Sequence, residues 1–240
     1  MKDPGLSHLN RIPQKKLDLI LERVSKLEER ERNLYTRLFV LYTNANIPIE
    51  YWDLNPENFV GKSGSKKIFE DYVADIGKSY LDGRSFLISG NHGSGKTWLL
   101  TNLLKFASRN GYRCLYTSMA DIVSLLTSGP VEQKYLARQE LFMSDFLSVD
   151  EFDDRFILSG ASADLFLSTL ENILRPRLAN KLPTFISTNS TNILEAFKGT
   201  LKESLMSLFK KIEKHSIFDN DLRSTTCLPN PKPLKSTMNT

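Results

Sequence analysis

The run Gly90-Asn-His-Gly-Ser-Gly-Lys-Thr97 has the residue types and the spacing to hold a chain of phosphates. Gly90, four residues, then Gly95, Lys96 and Thr97 complete a Walker A pattern. Glycines let successive backbone N–H groups turn toward phosphate oxygens, and a following helix adds partial positive charge at its N-terminus. Lys96 would neutralise the phosphates and the Thr97 hydroxyl would ligate Mg²⁺. Asn91, His92, Gly93 and Ser94 in the loop, with Trp98 at the head of the helix, complete the expected nucleotide contacts. The flanks supply the setting the motif requires: Arg84-Ser-Phe-Leu-Ile-Ser reads as a buried strand and Trp98-Leu-Leu-Thr-Asn-Leu-Leu as a helix.

Downstream, Asp145-Phe-Leu-Ser-Val-Asp150-Glu151 is an apolar strand ending in two acids, the requirement of a Walker B element. Asp150 would hold Mg²⁺ through water or through Thr97. Glu151 would orient and deprotonate an attacking water, a task limited by positioning and charge. A kinase acting on a small molecule would need no such second acid. Asn189 follows the apolar stretch Thr184 to Thr188, at the sheet edge where open α/β sheets bind ligands. Its amide could hold the same water; the alternative is a cap on a helix over Thr191-Asn-Ile-Leu-Glu.

The elements that must position these groups alternate. Tyr112 to Ser118, Leu141 to Val149 and Leu182 to Asn189 read as further strands, separated by helical stretches after Met119, before Gln139 and from Ala163 to Leu178. A helix over Lys66 to Leu81 leads into the first strand. Most strands are apolar on both faces, which argues a parallel sheet covered by helices on both sides. Ahead of them, Leu17, Ile20, Val24, Leu27, Leu34 and Leu38 mark one long amphipathic helix, ending at Asn44-Ala-Asn-Ile-Pro. It could pack back on the domain or serve as a separate arm for a partner.

A chain of 240 residues, 40% apolar, holds one full α/β domain plus a small appendage. It contains no run near the eighteen or so apolar residues that cross a bilayer, and its first residues lack a signal-peptide stretch, so a cytoplasmic protein without membrane contact is expected. Cys114 and Cys227 make neither a disulfide framework nor a metal cluster. The net charge of +4 gathers at the ends: residues 1–46 hold nine Lys/Arg against six Asp/Glu, and residues 198–240 eight against four. Such clusters can meet nucleic acid or simply be solvated. In the second, Lys202, Lys210, Lys211 and Lys214 would share one side of a helical segment, with Phe209 in the core. Ser224 to Thr240, rich in Pro, Ser, Thr and Asn, reads as a disordered tail.

GNHGSGKTWLL, CLYTSMADIVSLL, DFLSVDE and PTFISTNST, in that order and at those spacings, resemble the AAA+ ATPases of the helicase-loader group. That group contains the DnaC/DnaI-type loaders and the IstB-type transposition ATPases. The resemblance spans about Ile47 to Arg223, and ANIPIEYWDLNPENF is similar to the group's short N-terminal linker. It implies an α/β P-loop AAA+ core with a central parallel sheet, a small helical arm over residues 1–46, an ATPase domain over 47–223, and no full C-terminal lid. It implies ATP and Mg²⁺ as cofactors, Glu151, Asn189 and Lys96 in catalysis, Arg223 near the nucleotide, self-association, and a replicative helicase and single-stranded DNA as partners. A transposition helper acting on duplex DNA with a transposase, and a nucleotide-switched adaptor with little turnover, are the alternatives. The sequence departs from the group at two places, one being an N-terminal arm with no Cys/His spacing for zinc. Where an arginine reaching a neighbour's ATP is expected, Ser207 is followed by Leu208; Lys210, Lys211, Arg175 and Arg177 are the available substitutes.

Overall fold

The computed structural model describes residues 12–59, 64–153, 161–190, 193 and 200–217. Strands β1 (Phe86–Gly90), β2 (Cys114–Ser118), β3 (Phe146–Asp150), β4 (Thr184–Thr188) and β5 (Glu213–Ile217) form one sheet in the order β2-β3-β4-β1-β5. Every pairing is parallel. Helices α1 (Gln14–Ser25), α2 (Glu29–Asn44), α3 (Gly64–Val73), α4 (Ile76–Leu81) and α5 (Lys96–Arg109) come from the first half of the chain, and α6 (Met119–Ser128), α7 (Val131–Met143), α8 (Ala161–Ala179) and α9 (Thr200–Phe209) from the second.

Alternation along the strands divides the core in two. Leu87, Leu147, Val149 and Ile186 pack with α6, α7, α8 and α9. Phe86, Ile88, Tyr116, Phe146 and Phe185 pack on the other face with α2, α3 and α5. Residues 86–88, 146–150 and 184–188 are buried through both faces, so their strands have no solvent-facing side. β5 is an edge strand paired only to β1, and its sequence Glu-Lys-His-Ser-Ile alternates exposed and half-buried positions. The expected helical segment therefore stops at Phe209, and Lys214 lies on a strand while Lys210 and Lys211 sit in the turn before it. The four lysines do not share a helix face. Phe209 is buried, stacked on Phe152.

The N-terminal helix is two helices. Lys26, Leu27 and Glu28 separate α1 from α2, and the Arg32 guanidinium donates to the Ser25 and Leu27 carbonyls across the break. Glu29 and Glu31 favour a helix start at this point by facing its positive end. The stretch over 66–81 is likewise split, and Asp75 caps α4 by accepting from the Lys78 N–H at 2.8 Å. α1 has no buried residue, whereas Leu38 and Tyr42 of α2, followed by Ala45, enter the same apolar cluster as Trp52, Leu99 and Leu103. Packing thus crosses the expected boundary at residue 46. The tail beyond residue 217 lies outside the described residues.

The linker between α2 and α3 is held from below by a buried lysine. Lys105 Nζ, on α5, donates to the carbonyls of Tyr51 at 2.9 Å and Leu54 at 2.6 Å. Burial, reinforced by Arg109, pulls its pKa down to about 7. An unfolded lysine holds its proton to about pH 10.4, so between those values the unfolded chain is the more protonated and this residue's contribution to stability rises with pH. Chemical denaturation from pH 7 to 9.5 is expected to show that rise and Lys105→Met to flatten it; an identical slope in the variant refutes the assignment.

Deletion of residues 1–28 is expected to change the unfolding free energy by no more than about 1 kcal/mol. Deletion of residues 1–46, which strips Leu38, Tyr42 and Ala45 from the core, should cost roughly 3–6 kcal/mol. Urea titrations followed by circular dichroism distinguish the two, and equal midpoints would mean that α2 is not part of the core.

Candidate nucleotide-binding site

β1 delivers Gly90 to the carboxyl edge of the sheet, and the loop through Gly95 turns the chain into α5. Two positions need glycine for their backbone: Gly93 and Gly95 have φ of 77° and 91°, in the left-handed region. Gly90 needs it for space, since an added Cβ would lie 2.3 Å from the Ile217 carbonyl oxygen and 2.8 Å from Ser94 Oγ. Ser94 is fully buried inside the loop and its hydroxyl has no protein partner. Lys96 is buried too, and its ammonium donates to the carbonyls of Gly90 and Asn91, both at 2.8 Å. A cation held over the loop, an orphaned hydroxyl within it and a bare glycine backbone fit a phosphate chain. Asn91 and His92 are exposed at the tip of the loop and Thr97 is half-buried at the head of α5. Trp98 does not join them: its ring is buried against Phe59, with centroids 4.1 Å apart, and against Phe69, so only its backbone faces the loop.

β3 ends beside this loop. Asp150 is buried, and both of its oxygens are engaged. Oδ2 accepts from the Tyr116 hydroxyl at 2.7 Å; Oδ1 accepts from the Ser187 hydroxyl and, at 2.9 Å, from the Glu151 N–H. Ser118 is the register partner of Asp150, so Tyr116 reaches it diagonally across two parallel strands, and Ser187 comes from β4 on the other side. Burial and the Asp150 charge push the Tyr116 phenol well up, so it stays a proton donor to the carboxylate. Glu151 has φ 56°, an uncommon conformation for a side chain of its size, and is exposed. That turn points the chain away from the strand immediately after the buried acid.

Asn189 leaves β4 at the same edge. Its backbone N–H and its side-chain amide donate to the two oxygens of Asp153, at 2.8 and 2.9 Å. The amide nitrogen is thereby fixed by an acid three residues beyond Asp150, which ties the end of β4 to the end of β3. The helix expected over residues 191–195, with Asn189 as its cap, falls largely outside the described residues, and Arg223 lies outside them. Lys96, Thr97, Asp150, Glu151 and Asn189 all lie at the carboxyl edge of the sheet, in the first turn of α5 that follows β1 or at the ends of β3 and β4. Tyr116, Ser187 and Asp153 were not singled out in the sequence. Tyr116 and Ser187 hide in apolar strands, and Asp153 in the acidic run Asp150-Glu-Phe-Asp-Asp154.

A sequence model of the family described as IstB-like ATP binding protein matches residues 65–191, more than half of the chain. The chain belongs to the IstB-like ATP-binding protein family. A search of the curated proteins gave no match. Among solved structures this IstB-like chain is similar to the DnaC helicase loader, at 19% identity and a TM-score of 0.53 over 70% of this chain and 99% of that one. It is similar to DnaI at 16% and 0.53, over 68% and 87%. AMPPCP-bound DnaA from Aquifex aeolicus matches at 19% and 0.56, over 68% and 49%, so the chain spans about half the length of that initiator. At these identities the likeness is one of fold.

Two of the proposed substitutes for a trans-acting arginine behave differently in the IstB-like fold. Arg177 is fully buried and donates to Thr184 Oγ1, to Ser144 Oγ and to the carbonyls of Leu141, Ser144 and Pro183. Burial pulls its pKa down to about 10, which leaves it charged at neutral pH. It is a structural clamp between α7, α8 and β4 and cannot reach a neighbouring subunit. Leu208, at the position where the arginine was expected, is a core residue of α9. Arg175 is exposed, paired with Glu171 and Ser204.

Arg177→Met removes the guanidinium donor from the buried Leu141 and Ser144 carbonyls and is expected to cost about 3–5 kcal/mol of stability while leaving the turnover of the folded fraction unchanged. Thermal melts run beside single-turnover assays test this. A normal melting temperature with turnover lost would make Arg177 a catalytic arginine instead.

Proposed function

We propose that this chain is an ATP-dependent loader that engages a replicative helicase through its N-terminal helices and helps place it on single-stranded DNA. The observation that carries the ATPase part is that Lys96 in its glycine loop, a buried Asp150 fixed by hydrogen bonds and an outward-turned Glu151 lie at one edge of the sheet. In this reading Thr97 and Asp150 hold Mg²⁺, which supplies Lewis-acid stabilisation of phosphate charge, Lys96 and the loop amides bind the phosphates of ATP, and Glu151 takes the proton of water. Asp153 holds Asn189 so that its side-chain oxygen can orient that water. The partner-binding part is supported by α1, where Leu19 and Leu21 are 65% and 57% exposed on a helix that buries none of its residues. Charge concentrated at the two ends of the chain supports contact with a nucleic-acid backbone, and self-association would line several such patches along one strand.

Two other readings each have an observation behind them. The family match favours a transposition helper that acts on duplex DNA with a transposase. The core position of Leu208 favours a nucleotide-switched adaptor, because no arginine stands ready to complete a neighbour's site there. In each reading the protein works in the cytoplasm; no helix among the described residues is long and apolar enough to cross a membrane.

Lys96→Ala is expected to abolish ATP binding, and Glu151→Gln to spare binding while lowering hydrolysis by at least about 100-fold. Equilibrium binding of a fluorescent ATP analogue and phosphate release read the two. Wild-type affinity in the Lys96 variant would remove the P-loop assignment. Fluorescence anisotropy with labelled oligonucleotides then separates the loader from its rivals. Single-strand binding that is stimulated by ATP and falls steeply from about 50 to 200 mM salt supports loading. Preference for duplex supports the transposition helper, and indifference to nucleotide the adaptor.

A further inference from the structure

The hydrogen bonds of Tyr116 continue past Asp150 into the N-terminal helices. β2 is an edge strand, with β3 on one side, and the other side of Tyr116 is taken by the chain that leaves α2. The Tyr116 N–H donates to the Ala45 carbonyl at 2.8 Å, and the Asn46 side-chain amide donates to the Tyr116 carbonyl at 2.9 Å. Asn46 makes that contact from a left-handed backbone, φ 55°, and is buried. Ala45 caps the C-terminus of α2, and the same helix is fastened to the P-loop helix by Tyr42, whose hydroxyl accepts from Arg109 and whose ring lies under it. A path of three hydrogen bonds therefore runs from Ala45 and Asn46, at the end of α2, to the backbone of Tyr116, and from its hydroxyl to Asp150 Oδ2.

We propose that Tyr116 is a positioning residue for the metal-holding carboxylate of Asp150, and that Asn46 anchors it, so that the seating of α2 sets the affinity of the site for its divalent ion. This rests on the reading of Asp150 given above. A carboxylate in a buried site binds a metal well only if its rotamer is fixed and one lone pair is left aimed at the ion. Partners in the outer shell that do this change metal affinity by about 10- to 100-fold when removed. Tyr116 qualifies on geometry: Oδ1 already accepts from Ser187 and from the Glu151 N–H, and the phenol, held at both backbone groups, takes one lone pair of Oδ2 and leaves the other to face the ion. The linker carries the information because it is the neighbour of β2 on its open side, where a strand would otherwise sit. A partner that pulled on α2 would act on Ala45 and Asn46 together with Leu38 and Tyr42, and through Ala45 and Asn46 would loosen Asp150.

The test is a double-mutant cycle on the full chain, read as the Mg²⁺ concentration that half-saturates its enhancement of fluorescent ATP binding, and in parallel as Mn²⁺ affinity by electron paramagnetic resonance. Tyr116→Phe is expected to raise both midpoints about tenfold while leaving nucleotide affinity in EDTA unchanged. Asn46→Gly keeps the left-handed backbone and removes only the amide; it should raise the midpoints about threefold to fivefold, a shift that disappears when Tyr116→Phe is already present. Additive effects of the two variants would overturn the path through Tyr116, and an unmoved midpoint in Tyr116→Phe would overturn the positioning role. If the wild-type chain binds no nucleotide at all, the ATPase reading fails and this proposal with it; if it binds and the midpoints stay put, this proposal fails alone. A thermal melt on each variant keeps a folding defect from being read as a metal effect.

Discussion

The P-loop helix α5 is buried around almost its whole circumference, and the rest of the molecule is arranged to keep it so. Leu99, Leu100, Leu103, Leu104 and Ala107 are buried, and so are Thr101, Asn102 and Lys105, which on an ordinary surface helix would face water. A helix that carries the phosphate-binding loop at its N-terminus gains precision from such enclosure, because neither its axis nor its first turn can shift without opening the core. The cost is that every polar side chain on it must be answered internally. Thr101 and Asn102 turn back to carbonyls one turn earlier, and Lys105 is met by the linker carbonyls. The linker and α2 are thus the outer wall of the nucleotide site's foundation.

How much of this was legible in the sequence follows from how locally each feature is encoded. The glycine loop, the two acids after an apolar strand and the strand before Asn189 are contiguous patterns, and the alternation of apolar strands with helices carries the parallel α/β fold. Lys214 is expected on a helical segment because Glu-Lys-His-Ser-Ile has no apolar run; it lies on a strand because β1 offers a free edge, and Arg84 pairs with Glu213 beside it. The break between α1 and α2 was hidden because Leu27 keeps the apolar spacing while Glu28 does not stay helical. Arg177 looked like an available surface cation, and nothing in Asn-Ile-Leu-Arg-Pro-Arg tells which of two arginines a tertiary contact will bury.

Tyr116, Ser187 and Asp153 were invisible for a different reason. Each acts on a residue at least 34 positions away, or in the case of Asp153 on an amide 36 positions on, and each sits in a stretch whose dominant signal is something else. They share one geometric cause: parallel strands bring residues from different segments to a single level, so the groups that orient a motif come from its sheet neighbours. In a sheet of the order β2-β3-β4-β1-β5, the strand bearing Asp150 lies between β2 and β4. The residues that hold Asp150 had to come from those two strands, at positions whose side chains alternate onto the P-loop face.

That arrangement also constrains how a neighbouring subunit could contribute. α9 turns Leu205, Leu208 and Phe209 into the core and leaves Met206, Ser207 and Lys210 outside, so an arginine at position 208 would be buried where it could meet no second ATP. A cation acting across an interface must come from the outward face of this region or from elsewhere. Lys210 and Lys211 stand on the outward turn, yet an ammonium is a point charge and makes a poorer clamp on three phosphate oxygens than a planar guanidinium. Arg175 has the right head group and is exposed, but Glu171 and Ser204 already hold it against α9. Its release would have to be coupled to assembly. In the ATPase reading proposed above, the chain would bind nucleotide through its own residues, while rapid turnover would need a cation that another molecule supplies or frees.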